Sequence, residues 1–346
     1  MNTVAQQKRA VFVVAHPDDF QLFMNPVAAA AILSGDYSVA IIVTTAGDGG
    51  QGPAYWAARE WGTIASVRWL LDCTPNAPFD ETPSPAAGAP LWNFVSFNEH
   101  NITTWTANIA QTPCACYFMR LPDGNMCGEG FGVTGDVSLP QLSNSAITPQ
   151  PFPSLATITT IGTVDGSTTY TSWNDFTTTL EAIITDNGNY AISDCWVNYQ
   201  QTDQTTNPCD HYDHYATGLA SNAAIGQSTP LAVSEYLDYA MTQPPNGKTQ
   251  LQGSAALWKI GMMAAYDKQV YDCARGQQNG GGKICCTIGG DNLGVYAGWM
   301  MAAPVFTTST PGNFSPPSLA PLWPPTPFYS GCSGCQCSSS DSTSDH

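Results

Sequence analysis

The stretch of sequence that decides the fold is AVFVVAHPDD, residues 10–19. It begins with six consecutive apolar residues rich in valine, a pattern typical of a strand buried on both faces of a parallel sheet. It then changes abruptly to a histidine, a proline and two aspartates. Because ligands of doubly wound sheets bind at the carboxyl ends of the strands, this change predicts a functional site directly after the first strand.

Downstream segments predict helices and strands in alternation. The expected helices lie over 26–34, 54–72, 173–185, from about 211 and over 255–274, and the expected strands over 38–45, 116–121, 194–199 and 231–236. This order predicts an α/β fold of the Rossmann-like, doubly wound kind, with a mainly parallel sheet and helices on both faces.

The chain of 346 residues is expected to form a single Rossmann-like domain over 1–306, followed by a Pro/Ser/Cys-rich tail over 307–346. Residues 74–170 are rich in proline, threonine, asparagine and glycine and predict a long irregular insertion over the sheet. An insertion of this length is usually connected with function. The tail is expected to be loosely ordered.

Composition excludes several classes of protein. Acidic residues outnumber basic ones by 27 to 10, a net charge of −17, which disfavours binding to nucleic acid or anionic membranes. A hydrophobic content of 43% excludes a disordered chain. Segment 137–164 lacks charge, but its polar residues argue against a membrane span.

Twelve cysteines are scattered along the chain, which favours disulfides over one metal cluster. With the low charge content and many Thr, Ser and Pro residues, they predict an extracellular protein. The first ten residues show no apolar segment of a secretory signal, so a cytoplasmic protein is the alternative. Cys332, Cys335 and Cys337 have a metal-like spacing but no histidine nearby, and a flexible tail suits disulfides or a free thiol equally.

The second chemical motif is DHYDH, residues 210–214, at the predicted start of a helix. His211 and His214 are three residues apart and therefore share a helix face. Of the five histidines in the chain, these two and His16 lie in the two motifs that follow predicted strands. Imidazole and carboxylate together suit zinc, so the sequence predicts a metal site.

The two motifs together resemble the PIG-L/LmbE-like zinc-dependent N-acetylglucosaminyl deacetylases. The resemblance continues in TAGD at 45–48, ARE at 58–60 and FMRLPDG at 118–124, and it covers about residues 10–240. It implies a Rossmann-like fold and the removal of acetyl groups from an N-acetylated sugar or glycoconjugate. It also implies Zn²⁺ as cofactor, with another divalent metal as the alternative.

The resemblance implies a role for each motif residue. His16, Asp19 and His214 are the expected metal ligands, and Asp18 is the expected general base. His211 is expected beside the metal as an acid or electrostatic stabiliser, and Asp213 is expected to orient a histidine.

Three further residues are candidate substrate contacts, each with a structural alternative. Asp48 could instead be a turn residue, and Arg59 could be a surface charge on a helix. Arg120 could instead fix a turn.

Two positions depart from the family pattern. Phe20 stands where the family often has a glutamate, and Cys209 stands where one branch has a tyrosine near the oxyanion. Tyr199 or Tyr212 is expected to replace that tyrosine if the step is kept. The departures leave open a second hypothesis, a secreted carbohydrate-binding or structural protein that has lost catalysis.

A third hypothesis comes from GDGGQG, residues 47–52, which fits the Gly-x-Gly-x-x-Gly pattern, with Asp72 twenty residues further on. It predicts a nicotinamide-dependent oxidoreductase. Against it, the loop follows the second strand and carries Asp48 where a pyrophosphate would bind. A tight turn that requires glycine explains the loop better.

Overall fold

The computed structural model describes residues 8–72, 93–109, 112–226, 228–242 and 251–278, together with 302–310, 314 and 317. The strands in these ranges are β1 (Lys8–Val14), β2 (Tyr37–Thr45), β3 (Asn93–Phe97), β4 (His100–Ile109), β5 (Thr112–Leu121), β6 (Ile161–Gly162), β7 (Thr169–Tyr170), β8 (Cys195–Gln200), β9 (Ala232–Tyr236) and β10 (Phe306–Ser309). The helices are α1 (Val27–Ser34), α2 (Pro53–Asp72), α3 (Leu139–Ser143), α4 (Trp173–Ile184), α5 (Tyr212–Ile225) and α6 (Gly253–Gln278).

Eight strands form one sheet in the order β10-β9-β8-β1-β2-β5-β4-β3, and β6 pairs with β7 in a separate ribbon. The strands from β9 to β5 in this order run parallel, whereas β10, β4 and β3 are antiparallel to the strands they extend. Helices α3, α4 and α5 pack on one face of the sheet, and α1, α2 and α6 pack on the other. The predicted doubly wound α/β fold is confirmed.

Strand β1 lies in the middle of the sheet, as its apolar sequence predicts. Val11 and Val13 pack into the core beneath α4 and α5, while Phe12 and Val14 pack into the core beneath α1 and α2. All four side chains are fully buried. Burial of each contributes roughly 1.5–3 kcal/mol, so β1 is an anchor for the residues that follow it.

The insertion differs from the prediction. Residues 74–92 lie outside the described part, but 93–121 form three strands that extend the main sheet instead of covering it. Only 116–121 predicts a strand from sequence. The turn between β3 and β4 is Asn98-Glu99, both with positive φ (47° and 67°), a two-residue hairpin without the glycine that usually marks one.

The predicted tail also begins with regular structure. Strand β10 pairs antiparallel with β9, and the rings of Phe306 and Tyr236 stack with centroids 4.7 Å apart. Residues 307–309 are therefore an edge strand, where loose order was expected. Nearly all later residues, including Cys332, Cys335 and Cys337, lie outside the described part.

Three buried cysteines in the described part carry free thiols: Cys114, Cys116 and Cys195. For these three, the expected disulfides are wrong, whereas Cys127 is disulfide-bonded. Burial raises the pKa of Cys114 to about 12, so this thiol is protonated and unreactive at neutral pH. The extracellular location stays a prediction. In the ranges given above, no helix combines the length and the apolarity needed to cross a membrane.

Lys259 gives α6 a pH-dependent contribution to stability. The residue is fully buried, its Nζ donates to Ala302 O (2.9 Å), and burial lowers the pKa of the ammonium group from 10.5 to about 7. Between pH 7 and 10 the unfolded chain therefore binds more protons than the folded one, so this group makes the free energy of unfolding rise with pH.

We expect Lys259→Met to stabilise the protein by a few kcal/mol at pH 6 and to flatten that rise. Urea unfolding at pH 6 and pH 9 measures both effects, with the exposed Lys268→Met as the matched control. An equally steep rise in Lys259→Met would contradict the lowered pKa.

Candidate metal centre

Three donor atoms converge just beyond the carboxyl end of β1. His16 Nδ1 lies 3.1 Å from His214 Nε2 and 3.5 Å from Asp19 Oδ2, and the third edge, His214 Nε2 to Asp19 Oδ2, is 3.4 Å. All three residues are buried. Ligands about 2.0–2.1 Å from a tetrahedral ion are about 3.3 Å apart, which matches this triangle.

The loop after β1 is held in place by hydrogen bonds. His16 N donates to Asp19 Oδ2 (2.7 Å), so the loop folds back on itself. Gln200, the last residue of β8, accepts from Ala15 N (2.9 Å) and donates to Asp19 Oδ2 (3.1 Å). His214 is presented from the first turn of α5. The carboxyl ends of two adjacent parallel strands therefore fix the triangle, at the point where the strand order reverses.

The outer nitrogens of the two imidazoles face carboxylates. His214 Nδ1 lies 2.8 Å from Asp210 Oδ1, and His16 Nε2 lies 3.4 Å from Asp213 Oδ2. A neutral histidine places its proton on the nitrogen that faces a carboxylate, which leaves the lone pairs of His16 Nδ1 and His214 Nε2 directed at Asp19. Three lone pairs that meet at a buried point need a proton or a metal ion between them, and this group could hold a metal ion.

The charges of the triangle agree with this requirement. Burial alone would lower the pKa of His16, but the carboxylate of Asp19 outweighs it and raises that pKa to about 10. Burial likewise opposes the charge of His214, yet Asp210 and Asp19 raise its pKa well above the ordinary value. The carboxylates thus draw positive charge to this point, and the donor set fits a divalent metal ion.

A second carboxylate lies behind His214. Asp238 follows β9 and is fully buried, with Oδ2 3.5 Å from His214 Nδ1. Burial and the nearby charge of Asp210 raise the pKa of Asp238 well above the ordinary value. On the other side of His214, the rings of Phe23 and Tyr239 lie with centroids 5.8 and 5.3 Å from the imidazole.

Asp18 lies next to the triangle and forms an ion pair with Arg59, whose Nη2 donates to Asp18 Oδ1. Arg59 Nη1 also donates to Gly47 O (2.5 Å), and Nε donates to Tyr266 OH of α6 (2.9 Å). Arg59, an expected substrate contact, therefore pairs with the expected general base. Its bonds to Gly47 and Tyr266 hold the guanidinium group in place.

His211 lies beside His16, with ring centroids 4.6 Å apart. Its Nδ1 accepts from Asp213 N (3.2 Å), so the proton of the neutral ring lies on Nε2, 3.7 Å from Asp123 Oδ1. Burial, followed by the charge of His16, lowers the pKa of His211 to about 4. His211 was expected to act as an acid or as an electrostatic stabiliser. A neutral ring favours the second role, in which Nε2–H donates a hydrogen bond.

Asp213 bonds to the insertion as well as facing His16. Its Oδ2 accepts from Gly124 N (2.7 Å), and a Cβ on Gly124 would lie 2.4 Å from Asp213 Oδ1. The glycine of the Arg-Leu-Pro-Asp-Gly segment is therefore required for close approach to α5. Asp213 lies where it can orient His16.

The other two expected substrate contacts have internal partners. Asp48 accepts from Asp123 N (2.8 Å) and Gly50 N (3.1 Å), and burial, together with the charge of Asp123, raises its pKa to about 6. Arg120 forms a bidentate ion pair with Glu60 (2.7 Å for both bonds) and a third bond to Asp165 (2.7 Å). All of these contacts are within the protein, and a role of Asp48 and Arg120 in substrate binding stays a prediction.

The loop 47–52 does not have the geometry of a dinucleotide site. In a dinucleotide-binding fold the acidic residue that bonds to the ribose follows the next strand, close to the glycines. Asp72 is instead the last residue of α2, the helix that starts at Pro53, and twenty helical residues span about 30 Å. The acid therefore lies at the far end of the helix, which argues against the nicotinamide hypothesis.

The surroundings of Phe20 explain one of the two departures from the family pattern. Phe20 is fully buried and packs with α1 and α2, so an apolar residue suits that position. Tyr199 is directed away from the triangle, with its hydroxyl bonded to Asn222 and Glu235 (3.4 Å). The Tyr212 ring packs on Phe152 with centroids 4.9 Å apart. Tyr239, which the sequence did not suggest, is the tyrosine whose ring lies against His214.

Several residues of the site were not predicted: Gln200, Asp210, Asp238, Asp123 and Tyr239. Gln200 and Asp238 come at or just after the ends of predicted strands, which is the signal that identified His16. Asp123 likewise lies two residues after the end of β5, in the Pro-Asp-Gly segment.

Comparisons with known proteins give a likeness in fold. No family model and no curated protein matches the sequence. The structure is similar to the crystal structure of a deacetylase–bog complex from the biosynthesis pathway of teicoplanin, with 13% identity and a TM-score of 0.37, covering 78% of this chain and 92% of that one. The deacetylase–teicoplanin complex from the same pathway has 13% identity and a TM-score of 0.31, covering 78% and 93%. A superposition this loose assigns no role to individual residues.

Proposed function

We propose that this chain is a zinc-dependent N-deacetylase that removes an acetyl group from an amino sugar or glycoconjugate. The observation that carries the proposal is the triangle of His16 Nδ1, Asp19 Oδ2 and His214 Nε2, with edges of 3.1–3.5 Å. Three protein ligands of these types are common in catalytic zinc sites, which keep a further position open. The resemblance of both motifs to PIG-L/LmbE-like deacetylases supports the reaction class.

A divalent cation held by these donors would lower the pKa of a water molecule and polarise the scissile carbonyl. Asp18 is suited to accept the proton of the attacking water, because it adjoins Asp19 and its own carboxylate lies outside the triangle. Arg59 pairs with that carboxylate and holds it in one orientation. The water oxygen bonds to the carbonyl carbon, the C–N bond breaks, and the proton passes to the departing amine.

His211 is suited to stabilise the negative charge that develops on the carbonyl oxygen. Its Nε2 carries the proton because Nδ1 accepts from Asp213 N. A fixed N–H donor in a buried site is an effective oxyanion stabiliser. The carboxylates of Asp48 and Asp123 near the site suit a neutral amide substrate that becomes a cationic amine product.

We expect the wild-type protein to bind one equivalent of zinc and to release acetate from N-acetylglucosamine oligomers, and His214→Ala to lose both properties. Equilibrium dialysis with metal analysis and an acetate assay measure them. The matched control is His100→Gln, since His100 bonds to Asp175 and Thr168 away from the triangle.

Two outcomes would contradict the proposal. A wild-type protein that binds no divalent metal would exclude the metal site. Binding of the oligomers by the zinc-loaded protein without acetate release would support the hypothesis of a carbohydrate-binding protein that has lost catalysis.

A further inference from the structure

We propose that the chain carries a second, non-catalytic binding site: a cavity that binds a unit of a neutral saccharide. The cavity has a volume of about 490 Å³ and lies at the amino ends of β1, β2 and β5, where Arg9 pairs with Ser38. Sites for small molecules usually measure roughly 300–1,000 Å³. A strand rises roughly 3.3 Å per residue, so Arg9 lies about 20 Å from His16 along β1. The cavity is therefore distinct from the metal centre, and its ligand is independent of the proposed reaction.

The polar groups of the cavity come from neighbouring strands. Arg9 and Ser38 stand opposite each other on β1 and β2, and Thr104, Thr106 and Asn108 alternate along β4. Alternate residues of a strand project from the same face of a sheet, so the three side chains of β4 form one row. In the described part of the chain, no hydrogen bond joins the side chain of Ser38, Thr106 or Asn108 to another residue. Their hydroxyl and amide groups are therefore available to a ligand.

The guanidinium group of Arg9 is satisfied by the protein only in part. The residue is 3% exposed, and its Nη2 donates to Ile183 O (3.2 Å) and to Tyr117 OH (3.3 Å). Nη1 lies 3.9 Å from Asp186 Oδ2, too far for a hydrogen bond, and Nε has no hydrogen-bond partner among the described residues. A buried polar group with unused N–H bonds lowers stability, so its place in the wall of a cavity favours a ligand that carries oxygen acceptors.

Apolar groups lie between these polar ones. Val95, Phe97 and Ala115 also line the cavity, and the rings of Phe97 and Tyr117 meet edge to face with centroids 5.6 Å apart. A purely apolar ligand would leave the hydroxyl, amide and guanidinium groups without partners. A pyranose ring has C–H groups on its faces and hydroxyl groups around its edge, so it matches both kinds of lining.

The charges of the lining favour a neutral saccharide. Among the described residues that line the cavity, Arg9 and Asp186 are the charged ones, and their charges cancel. An anionic ligand would meet the carboxylate of Asp186 in a chain with a net charge of −17, and a cationic ligand would meet the guanidinium group. A saccharide without carboxyl or amino groups avoids both repulsions.

Calorimetric titration with cellotriose tests the site, because this glucose trimer is neutral and has no acetyl group to be hydrolysed. We expect Thr106→Trp to lose an equivalent of cellotriose that the wild-type protein binds, since the indole ring fills the cavity. The matched control is Thr169→Trp, the same substitution at an exposed position of β7 outside the cavity. His214→Ala should keep the binding, because the metal centre lies at the other end of β1. If Thr106→Trp folds poorly, Asn108→Ala should weaken the binding by removing one exposed amide.

Three results would overturn the proposal. The first is a wild-type protein that binds no cellotriose at about 10 mM, a concentration well above a Kd of about 1 mM. The second is binding that His214→Ala abolishes and Thr106→Trp preserves, because the saccharide would then occupy the metal centre. The third is tighter binding of a glucuronic acid oligomer than of cellotriose, which would contradict a neutral ligand. None of these results bears on zinc binding or acetate release, so the proposed function is tested separately.

Discussion

Asp18→Asn is expected to lower kcat for acetate release by about 1,000-fold while the protein still binds one equivalent of zinc. The substitution keeps the shape of the side chain and removes its ability to accept a proton. The carboxylate lies outside the triangle of donor atoms, so the metal ligands keep their geometry. Initial rates with N-acetylglucosamine oligomers and metal analysis of the same sample measure the two properties.

Asp19→Asn is the matched control for this prediction, because the same substitution is made one residue further along the chain. Asp19 Oδ2 is a corner of the triangle and accepts from His16 N and Gln200 Nε2, so this variant should lose most of its zinc together with its activity. Loss of zinc from Asp18→Asn, or retention of more than a tenth of its turnover, would contradict the role of general base.

Strands and helices that are stabilised by a local pattern could be predicted from sequence. Residues 10–14 of β1 are an uninterrupted apolar run, and α1, α2, α4 and α5 begin within a residue or two of their expected positions. β4 could not be predicted in this way, because its sequence HNITTWTANI is mostly polar. It is a strand because β5 and β3 pair with both its edges, and such long-range pairing leaves little local signal.

The core of the site was predictable because its ligands are chemically unusual and follow strands. His16, Asp19 and His214 converge although nearly 200 residues separate the two motifs, since β1 and β8 are neighbours in the sheet. Asp238 also follows a strand, yet a single aspartate has no motif to distinguish it from a loop residue. Its position behind His214 depends on the pairing of β8 with β9, which the sequence does not specify.

The basic residues were harder to interpret. In a chain with 10 basic residues, Arg59 and Arg120 look like groups reserved for a substrate. The structure uses them to neutralise the buried acids Asp18 and Glu60. A chain with a net charge of −17 must pair the carboxylates that it buries, and this demand is invisible until the acids are known to be buried.

Arg120→Met is expected to destabilise the protein by about 3–5 kcal/mol, because it leaves the carboxylate of Glu60 buried without its partner. Glu60 is 1% exposed and receives both of its short bonds from Arg120. Burial raises the pKa of Glu60 even with Arg120 opposing it, and loss of the arginine raises that pKa further. A folded-state pKa above the unfolded one means that stability is lost as pH rises, so the defect should be larger at pH 8 than at pH 5.

The double variant Glu60→Gln/Arg120→Met separates the ion pair from a role in substrate binding. Without a charge at position 60 only Asp165, which is more exposed than Glu60, loses its partner, so most of the lost stability should return. Because Arg120 is occupied by Glu60, Asp165 and the Trp56 ring, 4.7 Å away, KM of the double variant should stay near the wild-type value. Urea unfolding of both single variants and the double variant, with KM for N-acetylglucosamine oligomers, provides the test. A stable Arg120→Met protein with a tenfold higher KM would instead assign Arg120 to the substrate.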